Sequence, residues 1–307
     1  MNITVLGAGA MGSLFGGLLG ETGALVTLID VNDAHLEAIC SDGLRLETDH
    51  GDRRVAGLRA LRPEAATSAA DLLIVFTKSM HTTAALAGVK HLIGENTRVL
   101  SLQNGLGNVE KIQEFVPIER ILIGMTTWPA DMVAPGHVRS HGEGAIKLWS
   151  ANGAQCASID DCVTALNAAG LHCTADPTVW VSIWEKVAFN AALNSICAVT
   201  GCTVDQLDLV PDGREIALSV AREVIAVAQA TGVAADAERP VRNIEHAIAH
   251  HRGHKPSMLQ DVQAGRPTEV EGINGAVVAA GTRVGVRAPC TELMLTLVRL
   301  IERRQRA

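Results

Sequence analysis

Lys186, Asn190 and Asn194 recur at intervals of four within an otherwise apolar stretch, Trp184 to Asn194 (WEKVAFNAALN). A step of four in a helix drifts by only about 40°, so all three share one face. Val187, Ala188, Phe189, Ala191, Ala192 and Leu193 surround them. Such a trio is either an ordinary solvated face or a polar stripe that must find partners. The second option suits chemistry on a carbonyl. A lysine can protonate or polarise a developing alkoxide, and amides donate and accept without adding charge.

A second chemical signal lies at the start of the chain. Gly7-Ala8-Gly9-Ala10-Met11-Gly12 is a GxGxxG directly after the apolar run Asn2–Leu6 (NITVL). Following a strand and opening a helix, the pattern predicts a dinucleotide cradle. Gly7 permits the tight turn, Gly9 lets backbone amides approach a pyrophosphate, and Gly12 lets the helix pack closely. The helix start at Ala10 and Met11 offers free N–H groups to the phosphates. Asp30 ends the next apolar run, 18 residues after Gly12. It either bonds the adenosine ribose hydroxyls, which favours NAD(H) over NADP(H), or serves as a turn residue. Lys78, directly after the run LLIVFT, is a cation that could approach a phosphate.

The elements needed to position these groups are legible as a pattern. Strands are predicted at Asn2–Leu6, Ala24–Asp30, Leu72–Thr77, Arg98–Leu102, Arg120–Thr127 and Leu171–Thr174. Between them fall helices at Ala10–Glu21, Asn32–Cys40 and Ser158–Ala169. Asn32 or Asp33 would cap the second of these helices. The alternation indicates an α/β fold, a Rossmann-type doubly wound sheet. The stretch His137–Ser150, punctuated by Gly142 and Gly144, predicts hairpin strands that extend the same sheet. After Asp176-Pro177 strand signals vanish, and helices are expected at 179–200, 214–231, 239–251, 269–284 and 291–304. The expected organisation is a dinucleotide-binding domain over 1–175 and an all-helical substrate and catalytic domain over 176–307.

Composition narrows the function classes. The 307 residues are 48% hydrophobic and 19% charged, with a formal net charge of −7. That balance, the absence of Tyr and the rarity of Phe argue against a nucleic-acid partner. The basic run Arg299, Arg303, Arg304, Arg306 reads as a solvated helix end. No secretory signal or long uninterrupted apolar run is evident, and the seven cysteines form no CxxC, so a reducing, cytoplasmic setting without membrane partners is expected. His246, His250, His251 and His254 cluster, but without HExxH or a nearby cysteine a solvated helix end is favoured over a metal site. No P-loop or G-x-S-x-G appears.

Nearly end to end, the sequence resembles the ketopantoate reductase (2-dehydropantoate 2-reductase) family. The shared pieces are the GAGAMG, Thr77-Lys78, Asn104-Gly105 after RVLSL, and Trp184-x-Lys186 with the two following Asn. Ser257-Met258-Leu259-Gln260-Asp261, Thr268-Glu269, Ile273-Asn274-Gly275, Gly285 and Pro289 continue the match. The resemblance implies a Rossmann-type domain followed by a helical one, with the site in the cleft between them. It implies Lys186 as general acid for a ketone reduced by NADPH or NADH, with Glu269 nearby. Asn104, Asn190, Asn194 and Ser257 would hold the substrate, and Lys78 and Asn104 would also touch the cofactor. An ordinary lysine pKa is about 10.4; burial would lower it and Glu269 would oppose the fall.

Two features depart from the family. Asp30 stands where NADP-preferring members usually carry a basic residue, and Cys290-Thr291 replaces the usual Glu-Asn after Pro289. Trp128-Pro129 and Trp149 have no assigned role. The leading expectation is reduction of a small 2-oxo acid, ketopantoate first, without a metal. The alternatives are a related dehydrogenase of another branched 2-oxo or β-hydroxy acid, and a non-catalytic dinucleotide sensor. A homodimer is compatible with each, and the sequence does not fix the oligomeric state.

Overall fold

The computed structural model describes residues 1–306; Ala307, the end of the expected second domain, lies outside them. The chain divides into two compact units. One comprises Met1–Gln103 and Asn108–Val179, the other Asn104–Gly107 and the described residues from Trp180 onward.

The first unit is built on an eight-stranded sheet. In chain order its opening elements are β1 (Asn2–Leu6), α1 (Ala10–Glu21), β2 (Leu25–Ile29) and α2 (Asp33–Asp42). The strands β3 (Leu44–Thr48), β4 (Gly51–Val55), β5 (Arg59–Leu61) and β6 (Leu72–Val75) follow. Then come α3 (Thr82–Gly88), β7 (Arg98–Ser101), α4 (Asn108–Gln113) and β8 (Ile121–Thr126). The unit closes with β9 (Asp131–Ala134), β10 (His137–Ser140), β11 (Ile146–Ser150), α5 (Ala157–Ala168) and β12 (Cys173–Ala175). The large sheet runs β12-β11-β8-β7-β6-β1-β2-β5. Its six strands from β5 to β8 are parallel, in the doubly wound order with β1 at the switch point. Their residues are almost wholly apolar because both faces are covered: Val5, Leu28, Leu73, Ile74, Val99 and Leu100 are fully buried.

The expectation for His137–Ser150 needs correction. Only β11 joins the large sheet, antiparallel to β8. β10 instead pairs with β9 and, in parallel, with β3 in a separate four-stranded sheet ordered β4-β3-β10-β9. β4 (GDRRV) is charged and largely exposed, and β9 (DMVA) is only four residues long and exposed throughout, so neither reads as a buried apolar run.

The second unit is helical. It holds α6 (Val179–Thr200), α7 (Pro211–Ala230), α8 (Glu238–His250), α9 (Ser257–Gln263), α10 (Ala276–Val284) and α11 (Pro289–Arg306). Val187, Ala191, Leu193, Val220, Val224, Ile244, Val277 and Val298 are buried in its core. The helix expected over 269–284 is divided: a π-helical turn, Glu271–Gly275, precedes α10. The Cys290-Thr291 departure has a structural role. Both backbone N–H groups, and the Thr291 hydroxyl, donate to the Glu223 carboxylate at 2.8–2.9 Å, capping the start of α11. No helix among the described residues is long and apolar enough to cross a membrane.

Candidate active site

In the first unit β1 delivers the chain into the glycine loop. Gly7 has φ +94°, and a Cβ there would lie 2.6 Å from the Thr77 amide nitrogen, so only glycine fits against the end of β6. A Cβ on Gly12 would meet the Gly7 carbonyl oxygen at 2.0 Å, which is why the first turn of α1 closes tightly on the loop. Gly9 faces open space, and α1 begins at Ala10 with no side chain capping it. An uncapped helix start beneath an exposed glycine is the cradle a pyrophosphate requires, so these residues fit a dinucleotide.

Thr77 and Lys78 follow β6 beside this loop, with Lys78 partly buried. Gln103, not anticipated from the sequence, holds this segment. Its Nε2 donates to the Thr77 carbonyl at 2.6 Å and the Thr82 hydroxyl at 2.8 Å. Asp30 follows β2, where its Oδ1 accepts from the Val31 and Asn32 amides at 2.8 and 3.0 Å. The turn role is therefore present, and Oδ2 takes no part in it. Asn32 caps α2, accepting from the His35 amide. Arg62, also not anticipated, reaches the Val31 carbonyl, but Asp33 and Glu64 already pair its charge.

In the second unit α6 carries the polar stripe. Lys186 and Asn190 are partly buried and Asn194 is buried, so the stripe is not a solvated face. Trp184, Val187, Ala188, Ala191 and Ala192 pack on either side. Asn194 Nδ2 donates to the Ser257 hydroxyl, at the start of α9, over a long 3.4 Å. Burial lowers the Lys186 pKa from 10.5 to about 8, and the Glu269 carboxylate acts in the opposite direction.

The segment Asn104–Gly107 reaches the same unit. Gly105 has φ +82°, and a Cβ there would lie 2.3 Å from the Gly272 carbonyl oxygen, which accepts from the Leu106 amide at 2.8 Å. This docking sets Asn104 Nδ2 3.4 Å from Glu269 Oε2. The π turn is anchored in its own right. Asn274, fully buried, donates from Nδ2 to the Ala191 carbonyl of α6 at 3.2 Å. Lys186, Glu269 and Asn104 thus form one cluster, and Asn194 with Ser257 a second site on the same helix.

The discounted residues also have places. His246, His250, His251 and His254 are exposed, and no group of three His, Cys, Asp or Glu is arranged to hold a metal among the described residues. All seven cysteines are free thiols. Trp128 and Trp149 donate their indole N–H groups to the Leu171 and Gly153 carbonyls at 2.9 and 3.0 Å, which makes them structural.

A doubly wound sheet with an open glycine loop, followed by a helical unit bearing a lysine, a carboxylate and amides, defines an oxidoreductase of the Rossmann type. Family comparison sharpens this. Residues 3–153 match the model "Ketopantoate reductase PanE/ApbA", and residues 178–302 match "Ketopantoate reductase PanE/ApbA C terminal". A 2-dehydropantoate 2-reductase of Streptococcus pyogenes serotype M3 is 35% identical over 299 residues, covering 97% of each chain. Among solved structures, D-mandelate dehydrogenase with NADH and anilino(oxo)acetate superposes with a TM-score of 0.94 at 30% identity, covering 100% of both chains. The 2-dehydropantoate 2-reductase of Geobacter metallireducens does so at 0.92 and 29%, covering 98% of this chain and 99% of its own. The chain belongs to the ketopantoate reductase family.

Proposed function

We propose that the protein reduces 2-dehydropantoate to pantoate with a nicotinamide dinucleotide, residues 1–175 serving the cofactor and residues 176–307 the substrate. When bound, the reduced dinucleotide supplies a hydride to the carbonyl carbon. Gly7, Gly9, Ala10, Met11 and Gly12 hold its pyrophosphate, and Lys78 and Asn104 contact it. Lys186 donates a proton to the carbonyl oxygen as that oxygen becomes an alkoxide. Asn104, Asn190, Asn194 and Ser257 orient the substrate's carboxylate and hydroxyl. Glu269 keeps Lys186 cationic enough to polarise the carbonyl and takes part in restoring its proton.

The observation that carries this reading is the sheltered polar stripe of Lys186, Asn190 and Asn194 on α6, with Glu269 and Asn104 3.4 Å apart in the same unit; burial, opposed by Glu269, lowers the Lys186 pKa to about 8. A general acid works best when its pKa lies near the working pH. Asp30 supports NAD(H) over NADP(H), because a 2′-phosphate would meet its carboxylate. The likeness to an NADH-bound D-mandelate dehydrogenase supports a second reading, an NAD-dependent dehydrogenase of another 2-hydroxy or 2-oxo acid. Oxidation of NADH and NADPH followed against a panel of 2-oxo acids tests both. Fastest turnover of 2-dehydropantoate is expected; an aryl 2-oxo acid turned over faster would favour the second reading, and turnover of none would reject both.

A further inference from the structure

His35 lies on α2 of the first unit; its side chain is buried and both its ring nitrogens are engaged. Nδ1 faces the backbone amide of Gly136 at 2.9 Å, in the turn between β9 and β10. An amide N–H can only donate, so Nδ1 must be unprotonated and the ring proton must sit on Nε2. Nε2 lies 2.9 Å from the Ser13 hydroxyl, which in turn donates to the Ala8 carbonyl at 2.8 Å. Every proton in the chain is therefore assigned a direction: Gly136 to His35, His35 to Ser13, Ser13 to Ala8.

The far end of this chain is the glycine loop. Ser13, fully buried in α1, also donates its backbone N–H to the Gly9 carbonyl at 2.8 Å. One residue thus fastens the carbonyls on both sides of Gly9. The near end is equally fixed. Gly136, with φ +70°, packs so closely on Ala38 of α2 that a Cβ would lie 2.8 Å from the Ala38 Cβ, and its carbonyl accepts from Arg45. Burial lowers the His35 pKa, while Asp30 and the Ala8 carbonyl raise it, and the net shift downward keeps the ring neutral.

We propose that His35 and Ser13 are positioning residues for dinucleotide binding: a buried one-way hydrogen-bond relay from the second sheet that holds the Ala8–Gly9 peptide in its pyrophosphate-binding orientation. The loop's amides are useful only if they point together, and the flexible Gly9 has no side-chain packing of its own to hold it. The relay supplies that restraint from beneath. It rests on the reading that the glycine loop binds a dinucleotide.

Three variants separate positioning from mere support: Ser13→Ala, His35→Asn and His35→Gln. Asn sets its amide oxygen near the place of Nδ1 and keeps the Gly136 contact, but loses Ser13. Gln sets its amide N–H near the place of Nε2 and keeps Ser13, but loses Gly136. Melting temperature and the Kd of NADH and NADPH, by fluorescence titration, are measured for each. Ser13→Ala and His35→Asn are expected to weaken dinucleotide binding roughly tenfold, as loss of one ordering hydrogen bond implies. His35→Gln should stay within about twofold of the parent, and the KM for the 2-oxo acid at saturating cofactor should not move. Ser13→Ala removes only one atom, so it carries the test if His35→Asn fails to fold. Parent-like Kd in Ser13→Ala, or equal losses in the two His35 variants, overturns the relay. A parent protein that binds neither dinucleotide overturns the underlying reading and the relay with it.

Discussion

The Lys186 ammonium is pulled by burial from 10.5 to about 8, and the Glu269 carboxylate of the same helical unit limits the fall. The two effects leave the group mostly protonated at neutral pH yet able to give its proton away. Asn104, 3.4 Å from Glu269, joins them through a loop held by the Gly272 carbonyl.

A pH dependence follows from this pair. An acid must be protonated to act, so kcat/KM for reduction should be level below pH 8 and fall about tenfold per unit above it. Glu269 raises the Lys186 pKa, so Glu269→Gln should move that alkaline limb to lower pH. Steady-state rates from pH 6 to 10 measure both. A profile flat to pH 10, or a limb displaced upward in Glu269→Gln, contradicts the assignment.

Gly105 is a position where geometry alone decides the outcome. An added methyl would meet the Gly272 carbonyl oxygen at 2.3 Å in a backbone conformation of φ +82°. Gly105→Ala should displace Asn104, lower turnover at least tenfold and cost about 1–3 kcal/mol of stability. Thermal melts and kinetics check this together; parent-like turnover would show that the loop can shift without consequence.

Cofactor choice should follow Asp30. Its Oδ1 is occupied by the Val31 and Asn32 amides, which fixes the carboxylate in place. NADH is expected to bind more tightly than NADPH, and Asp30→Ser should narrow the difference. Titration of both cofactors decides the matter, and tighter NADPH binding by the parent protein would refute the role given to Asp30.

Much of this was readable in the sequence where one local rule dominates. Gly7, Gly9 and Gly12 announce the cradle because a strand precedes them and a helix follows. Lys186, Asn190 and Asn194 share a face because helical geometry requires it. The second sheet was not readable, since β4 is charged, β9 is short and exposed, and β10 pairs with the distant β3 rather than with β11. Asn104 belongs with the helical unit through the Leu106 amide on the Gly272 carbonyl and its own contact with Glu269, which no periodicity reveals. Gln103 could have been noticed, because a polar side chain at the end of a buried parallel strand needs partners. His35 reads as one more polar residue of an amphipathic helix until its two ring nitrogens are placed.

The most direct measurement is single-turnover reduction of 2-dehydropantoate by Lys186→Ala, with dinucleotide affinity measured on the same sample. The account predicts a loss of at least a hundredfold in rate, the scale of a missing general acid, with cofactor Kd within about twofold of the parent. A Lys186→Ala protein that turns over as fast as the parent would contradict it.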